Sequence, residues 1–230
     1  MDAWTTNTVQ TADRVSAFLW KVYGWMAVGL GLTALVAFAV AGSPALLGVL
    51  VGNRLVFFAL VIAELGLVFF LSARADRLAP GTAAGLFALY SALNGVTLSV
   101  ILLAYTGESV TMTFVVTAGM FGALALYGST TKRSLAGAGQ FFMMGLIGLI
   151  LASIIGMFWH NDALQFMISV VGVIVFTGLT AWDAQRLRQM ALALPPGQVG
   201  AYAVVGALSL YLDFINLFLM LLRFTGSRRD

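Results

Sequence analysis

Charge is scarce in this sequence. Charged residues make up 9% of the 230 positions, whereas hydrophobic residues make up 61%. A soluble domain carries roughly 25% charged residues because its surface faces water. A chain with so little charge cannot cover a water-facing surface, so we expect its outer face to lie against lipid. The composition predicts an integral membrane protein and leaves no part of the chain large enough for a soluble domain.

Several reactive side chains are also absent or rare. The absence of cysteine excludes disulfides, thiolate catalysis and cysteine-based metal sites. The single histidine, His160, is expected in a loop on the opposite side of the membrane from the buried acids, so no Ser-His site or histidine metal cluster can form. The two lysines, Lys21 and Lys132, lie outside the last apolar stretch, which excludes a retinal Schiff base there. We expect no enzymatic activity and no bound cofactor.

Seven apolar stretches are each long enough to cross a membrane, which takes about 20 residues for a hydrocarbon core of about 30 Å. The predicted spans are residues 22–41, 55–73, 83–104, 109–128, 139–158, 163–183 and 203–223. A polar segment, residues 1–20, precedes them. The pattern predicts an all-α integral membrane fold, with residues 1–230 forming a single membrane domain.

The basic residues lie in short clusters between the apolar stretches, which is typical of topology signals and not of a nucleic-acid-binding surface. With the N-terminus inside, every internal cytoplasmic loop carries a basic pair, and two of the three outside loops carry none. These pairs are Arg74 with Arg77, Lys132 with Arg133, and Arg186 with Arg188. The positive-inside rule therefore predicts a cytoplasmic N-terminus, although the basic C-terminal tail favours the opposite orientation.

Three acidic residues lie within or at the edge of predicted spans. Glu64 and Asp213 are near the middle of the second and seventh spans, and Asp183 is at the cytoplasmic end of the sixth. An ionised carboxylate is costly in hydrocarbon, so such residues usually face the bundle interior and serve a pathway or a switch. The alternative is a protonated carboxyl group that hydrogen-bonds to a neighbouring helix and stabilises packing. Three acids at related depths favour the functional interpretation.

Asp183 and Asp213 would titrate as a coupled pair if they approach each other. They would also offer oxygen ligands to Ca²⁺, but two carboxylates are too few for a rigid calcium site, so we expect transient binding during permeation. Arg74 ends the second span at the predicted membrane level of Asp183 and could pair with it as a latch. The alternative is that Arg74 extends to the lipid headgroups.

Other polar residues accompany these acids. Ser209 and Asn216 share one helix face with Asp213, and Asn94 interrupts the third span. A single polar face on an otherwise apolar last helix predicts that this helix is central and surrounded by the other six.

Residues 207–218 (ALSLYLDFINLF), followed by Leu222-Arg223-Phe224, closely resemble the C-terminal signature of the Bax inhibitor family, also called the transmembrane Bax inhibitor motif family. The resemblance extends to residues 63–67 (AELGL), 90–99 (YSALNGVTLS) and 180–185 (TAWDAQ). It implies a bacterial member with six helices wrapped around the seventh. It also implies a pH-sensitive calcium leak, with Asp183 and Asp213 as the family's paired aspartates and Arg74 or Arg77 as its latch arginine.

The leading hypothesis is a pH-sensitive calcium leak channel of the bacterial inner membrane. In it the Asp183–Asp213 pair and an arginine latch form the gate, and Glu64 belongs to the pH-sensing ion pathway. Its partners would be the lipid bilayer, Ca²⁺ and protons. The alternative is a regulator that binds another membrane protein, such as a quality-control protease. A proton-coupled transporter ranks third, because such transporters often show repeated halves that this sequence lacks.

Overall fold

A computed structural model describes residues 3–159, 161–195 and 199–229 of the chain. These residues form eight α-helices and no β-strand. The helices are α1 Ala3–Ala41, α2 Pro44–Gly52, α3 Arg54–Ala73, α4 Pro80–Leu103, α5 Gly107–Thr130, α6 Ala136–Phe158, α7 Asp162–Ala193 and α8 Val199–Thr225.

Seven of these helices, all except α2, are long and apolar enough to cross a membrane. Large apolar side chains project from them into the surroundings; Phe38 is 84% exposed and Leu55 is 80% exposed. Contiguous apolar surface of this kind is stable against lipid and not against water. The predicted all-α fold with seven spans is confirmed, and the chain is a multi-pass membrane protein.

Helix α2 occupies a segment that we read from the sequence as a connection between two spans. Pro44 is its first residue, a position that proline favours because a helix start needs no intrahelical N–H bond there. Asn53 separates α2 from α3, and its side-chain Oδ1 accepts a hydrogen bond from the backbone N of Leu55 at 3.0 Å. This contact caps the start of α3 and fixes where the second span begins.

Helix α7 continues to Ala193, although the predicted span ended at Asp183. The residues after Asp183 are good helix formers, and the next proline is Pro195. Asp183 therefore lies inside a continuous helix and not at its end. Similarly, α1 begins at Ala3, so the segment predicted as a polar N-terminal extension continues directly into the first span.

The chain divides into two compact units. The first comprises Met1–Ala104 and Gln189–Tyr211, and the second comprises Tyr105–Arg188 and Leu212–Asp230. In the first unit, α4 packs closely on α1 at Gly95. A Cβ atom at Gly95 would lie 2.6 Å from the backbone oxygen of Thr33, so a glycine is needed for the two helices to come this close.

The second unit is built around a cluster of buried apolar side chains. The cluster contains Leu149, Ile168, Val175, Phe176, Leu179, Leu217, Met220 and Leu221. Glycines again mark the close helix contacts in this unit. Gly128 lies against the backbone of Ala181, and Gly139 lies against the indole ring of Trp182.

Helix α8 is the most enclosed of the seven long helices. In its most apolar stretch 72% of the residues are buried, compared with 11–39% in the other six. Tyr211, Leu217 and Leu222 are fully buried along it. This high burial agrees with the prediction that the last helix is central.

The helix contact at Gly128 gives a test of this packing. A methyl group added by Gly128→Ala would overlap the backbone carbonyl of Ala181, so we expect a loss of about 1–3 kcal/mol in unfolding free energy. Gly122→Ala, on the same helix, adds a methyl group where no atom lies within 4 Å, and it should leave stability unchanged or slightly higher. Thermal unfolding in detergent compares the two variants, and equal midpoints would contradict the close contact.

Candidate functional site

Glu64, on α3 in the first unit, is held by two residues of α4. Its side chain is buried, with 9% exposed. Asn94 Nδ2 donates a hydrogen bond to Glu64 Oε2 at 3.2 Å, and the hydroxyl group of Thr97 bonds to Oε1. Asn94 and Thr97 are three residues apart and so share one face of α4. The carboxyl group therefore joins α3 to α4.

The hydrogen bonds continue from Asn94 to α8 and α1. The Tyr211 hydroxyl donates to Asn94 Oδ1 at 3.1 Å, and the hydroxyl groups of Tyr211 and Thr33 are 2.6 Å apart. Thr33 Oγ1 also lies 2.8 Å from the backbone oxygen of Ser91. This set, which we call the Glu64 network, consists of Thr33, Glu64, Asn94, Thr97 and Tyr211. It connects four helices of the first unit.

The Glu64 network can satisfy its hydrogen bonds in either protonation state of Glu64. The Thr97 hydroxyl has one proton and two acceptors in reach, Glu64 Oε1 and the backbone oxygen of Leu93 at 2.9 Å. If Glu64 is ionised, Thr97 donates to the carboxylate. If Glu64 is protonated, it donates to Thr97, which then donates to Leu93. This geometry suits a carboxyl group that stabilises helix packing, and its role in an ion pathway stays a prediction.

Asp183 and Asp213 form the second acidic site, within the second unit. Asp213 on α8 is buried, with 6% exposed, and Asp183 on α7 is half-buried. The two carboxyl groups lie close enough for their charges to interact. Asp213 Oδ2 accepts no hydrogen bond from any residue in the described part of the chain. The two aspartates singled out in the sequence therefore lie within electrostatic reach of each other, and one carboxyl oxygen of Asp213 is unpartnered.

Neighbours on α7 hold the Asp183 segment in place. Gln185 Nε2 donates to the backbone oxygen of Arg133, and Gln185 Oε1 accepts from the backbone N of Leu135, both at 2.8 Å. The Arg186 guanidinium lies 5.7 Å above the Trp182 ring, a distance that allows a cation–π contact. The α5–α6 connection is therefore fixed to α7 two residues beyond Asp183.

Gln185 and Tyr211 hold these contacts although no sequence pattern had indicated a role for either. Both are polar residues in segments that resemble the family. This is the one sequence feature that could have identified them. Their partners could not be inferred, because Tyr211 bonds Thr33 from 178 positions away and Gln185 bonds Leu135 from 50 positions away.

The remaining predicted residues have their own local contacts. Asn216 Nδ2 donates to the backbone oxygen of Leu212 at 2.8 Å, within α8. Ser209 is half-buried on the part of α8 that belongs to the first unit.

Arg74 caps the end of α3 in the first unit, and its guanidinium lies 5.5 Å from the centre of the Phe70 ring. Arg77, the other latch candidate, lies 3.7 Å from the carboxylate of Asp76. A latch between either arginine and Asp183 stays a prediction. His160 lies outside the described residues.

The two aspartates are a pair and not part of a larger ligand set. Among the described residues, no group of three or more His, Cys, Asp or Glu side chains comes together. Ca²⁺ takes six to eight oxygen ligands, so two carboxylates leave most of its coordination to water or backbone. Transient binding of Ca²⁺ at this pair stays a prediction.

The similarity to known proteins covers the residues of both acidic sites. Residues 15–230 match the family described as inhibitor of apoptosis-promoting Bax1. The chain belongs to the Bax inhibitor family. It is 50% identical over 226 residues to the inner membrane protein YbhL of Escherichia coli K12, with 97% of each chain covered. A Borreliella burgdorferi protein is 44% identical over 215 residues, with 93% of each chain covered. A Deinococcus radiodurans protein is 43% identical over 220 residues, covering 95% of this chain and 94% of its own.

The Tyr211 hydroxyl provides a test of the Glu64 network. Tyr211→Phe leaves the side-chain oxygen of Asn94 without its donor in a buried site. We therefore expect the free energy of unfolding to fall by about 1–3 kcal/mol. Tyr90→Phe is the matched control: its ring is buried 5.6 Å from that of Tyr211, but its hydroxyl makes no hydrogen bond in the described part of the chain. Thermal unfolding in detergent should show a clearly larger loss for Tyr211→Phe, and equal losses would contradict the network.

Proposed function

We propose that this member of the Bax inhibitor family is a pH-sensitive calcium leak channel of the bacterial inner membrane. The observation that supports the proposal most directly is the pair of a half-buried Asp183 and a buried Asp213, with one carboxyl oxygen of Asp213 unpartnered. Acidic residues inside membrane spans commonly mark ion or proton pathways. The resemblance of residues 180–185 and 207–218 to the family signature supports the same function.

The proposed mechanism rests on the coupled titration of two close carboxyl groups. At low pH the two carboxyl groups share a proton, and the one negative charge that remains can pair with the latch arginine. As pH rises, loss of this proton leaves two negative charges that interact with each other, and together they attract a hard cation such as Ca²⁺. The unpartnered Oδ2 of Asp213 is available to bind either a proton or the passing cation. Calcium flux should therefore increase with pH.

We also propose a cytoplasmic N-terminus, supported by the basic pairs in the connections that would then face the cytoplasm. The inner-membrane location described for YbhL supports the same location for this chain. In this proposal the protein is no enzyme, carries no resident cofactor and binds no nucleic acid; Ca²⁺ and protons are its cargo.

Calcium flux into liposomes loaded with a calcium-sensitive dye, measured from about pH 5 to pH 8, tests the aspartate pair. The wild type should show flux that rises with pH, because deprotonation adds negative charge to the pathway. Asp183→Asn and Asp213→Asn remove a titrating group each, so their flux should lose most of this pH dependence. Asp13→Asn, a control at an exposed acid of α1, should behave as the wild type.

The two Asn variants must elute as monodisperse protein with unfolding midpoints near that of the wild type. Wild-type pH dependence in Asp213→Asn would reject the proposed gate. If well-folded wild type gives no flux at any pH, the channel proposal fails. Regulation of another membrane protein would then be tested by co-purification in mild detergent.

The arginine latch is tested in the same liposomes. If Arg74 holds the gate closed at low pH, Arg74→Gln should raise flux at about pH 5 and leave flux at pH 8 nearly unchanged. Arg77→Gln is the matched control, because Arg77 already has Asp76 as an ion-pair partner. A rise in flux with Arg77→Gln alone would assign the latch to Arg77, and no change in either variant would rule out an arginine latch.

A further inference from the structure

The second unit contains a cavity of about 920 Å³ that the calcium proposal does not use. It lies where α6 ends, α7 begins and α8 ends. Its lining includes Arg223, Arg228, Asp162, Gln165, Ser153 and Ser169. Ser153 is five residues from the end of α6 and Ser169 is seven residues from the start of α7, so the cavity reaches about 8–10 Å along the helices from their ends.

The C-terminal tail that carries Arg228 is fixed by backbone contacts. Tyr105 and Arg228 form an isolated antiparallel bridge, and the backbone N of Thr106 donates to the backbone oxygen of Ser227 at 3.1 Å. The backbone N of Ser227 donates in turn to Ser109 Oγ at 2.9 Å. The main chain of the tail is therefore attached to the start of α5, and this attachment places Arg228 beside the cavity.

Gly226 allows the turn from α8 into this tail. Its backbone N donates to the oxygen of Leu222 at 2.9 Å, which closes the last turn of α8. A Cβ atom at this position would lie 2.8 Å from the Tyr105 ring. The close approach needs a residue without a side chain, and it brings Arg223 of the helix and Arg228 of the tail to one cavity.

The charges in the cavity favour an anion. Two guanidinium groups and one carboxylate, that of Asp162, line it. Within residues 3–159, 161–195 and 199–229, no acidic side chain lies within 4.0 Å of either Arg223 or Arg228. The Ser153 and Ser169 hydroxyls donate to backbone oxygens of their own helices. The donors that remain for a ligand are therefore the guanidinium groups and the Gln165 amide.

The position of the cavity also indicates its ligand. It opens at one end of the spans, where the phosphates of a bilayer lie just outside the hydrocarbon core. The rings of Phe166 and Phe224 are 5.5 Å apart at this end, and aromatic side chains are typical of the membrane–water interface. Guanidinium groups match the geometry of phosphate oxygens better than lysine does.

We propose that this cavity binds an anionic phosphate group through Arg223 and Arg228. The group belongs to a phospholipid headgroup or to a small soluble phosphate, and the chemistry at the cavity is the same for both. The proposal is independent of the calcium leak, since it uses neither Asp183 nor Asp213.

Native mass spectrometry of the purified protein in detergent, titrated with phosphatidylglycerol or phosphatidylcholine, tests the lipid source. Thermal shift with inorganic phosphate and glycerol 3-phosphate tests the soluble source. Arg223→Gln and Arg228→Gln should each weaken binding of the effective ligand about fivefold, which corresponds to about 1 kcal/mol per arginine. The double variant should lose nearly all selective binding. Arg229→Gln, a control in the same tail but outside the cavity lining, should bind as the wild type.

Selective binding of phosphatidylglycerol that falls in the two cavity variants supports a lipid site. A thermal shift with the soluble phosphates that disappears in the same variants supports a soluble ligand. The proposal is overturned if the well-folded double variant binds as the wild type. It is also overturned if Arg229→Gln weakens binding as much as Arg228→Gln, since that result indicates general attraction between a basic tail and anionic lipid.

Discussion

Inside a bilayer no water is present to pair with polar groups, so each buried donor and acceptor must find its partner in the protein. The Glu64 network shows how the first unit meets this constraint. Glu64 bonds Asn94 and Thr97 on α4, and Asn94 bonds Tyr211 on α8. A buried polar group left without a partner costs about 1–3 kcal/mol, so these bonds favour one arrangement of the helices over others with the same apolar contacts.

The hydroxyl groups along the spans meet the same constraint within their own helices. Thr117 donates to the backbone oxygen of Thr113 at 2.7 Å, and Thr180 donates to that of Phe176 at 2.7 Å. Because these groups need no partner on another helix, they can face a close helix contact without a desolvation cost. Small residues then set how near the backbones come, since packing in lipid depends on van der Waals contact and not on release of water. Gly128 against the backbone of Ala181 is one such contact in the second unit.

The seven spans could be predicted because hydrocarbon thickness sets both their length and their apolar composition. Two helix boundaries could not be predicted. The segment Pro44–Gly52 is apolar but too short to span, and a short apolar run does not reveal whether it is helix or loop. The charged residues after Asp183 suggested the end of a span, but charge ends the apolar part of a helix and does not end the helix itself.

The candidate acids could be predicted for a similar reason: a carboxyl group is rare in an apolar stretch, so the residue type alone identifies it. What could not be predicted is which acid has partners. Glu64 is paired by residues 30 and 33 positions away on α4, and Asn94 is linked to Tyr211, 117 positions away. Helical periodicity relates residues only within one helix, so contacts between helices are beyond its reach.

The difference in partners separates the roles of the acids. A proton added to or removed from Glu64 can be accommodated by rotation of the Thr97 hydroxyl, and every hydrogen bond to Asn94 remains. Asp213 has no such partner at Oδ2, and the charge of Asp183 acts on it directly. A change in protonation there alters the electrostatic energy between α7 and α8, and no local hydrogen bond compensates for it. In the proposed channel the response to pH would therefore arise mainly at the aspartate pair, and the Glu64 network would hold the helices of the first unit together.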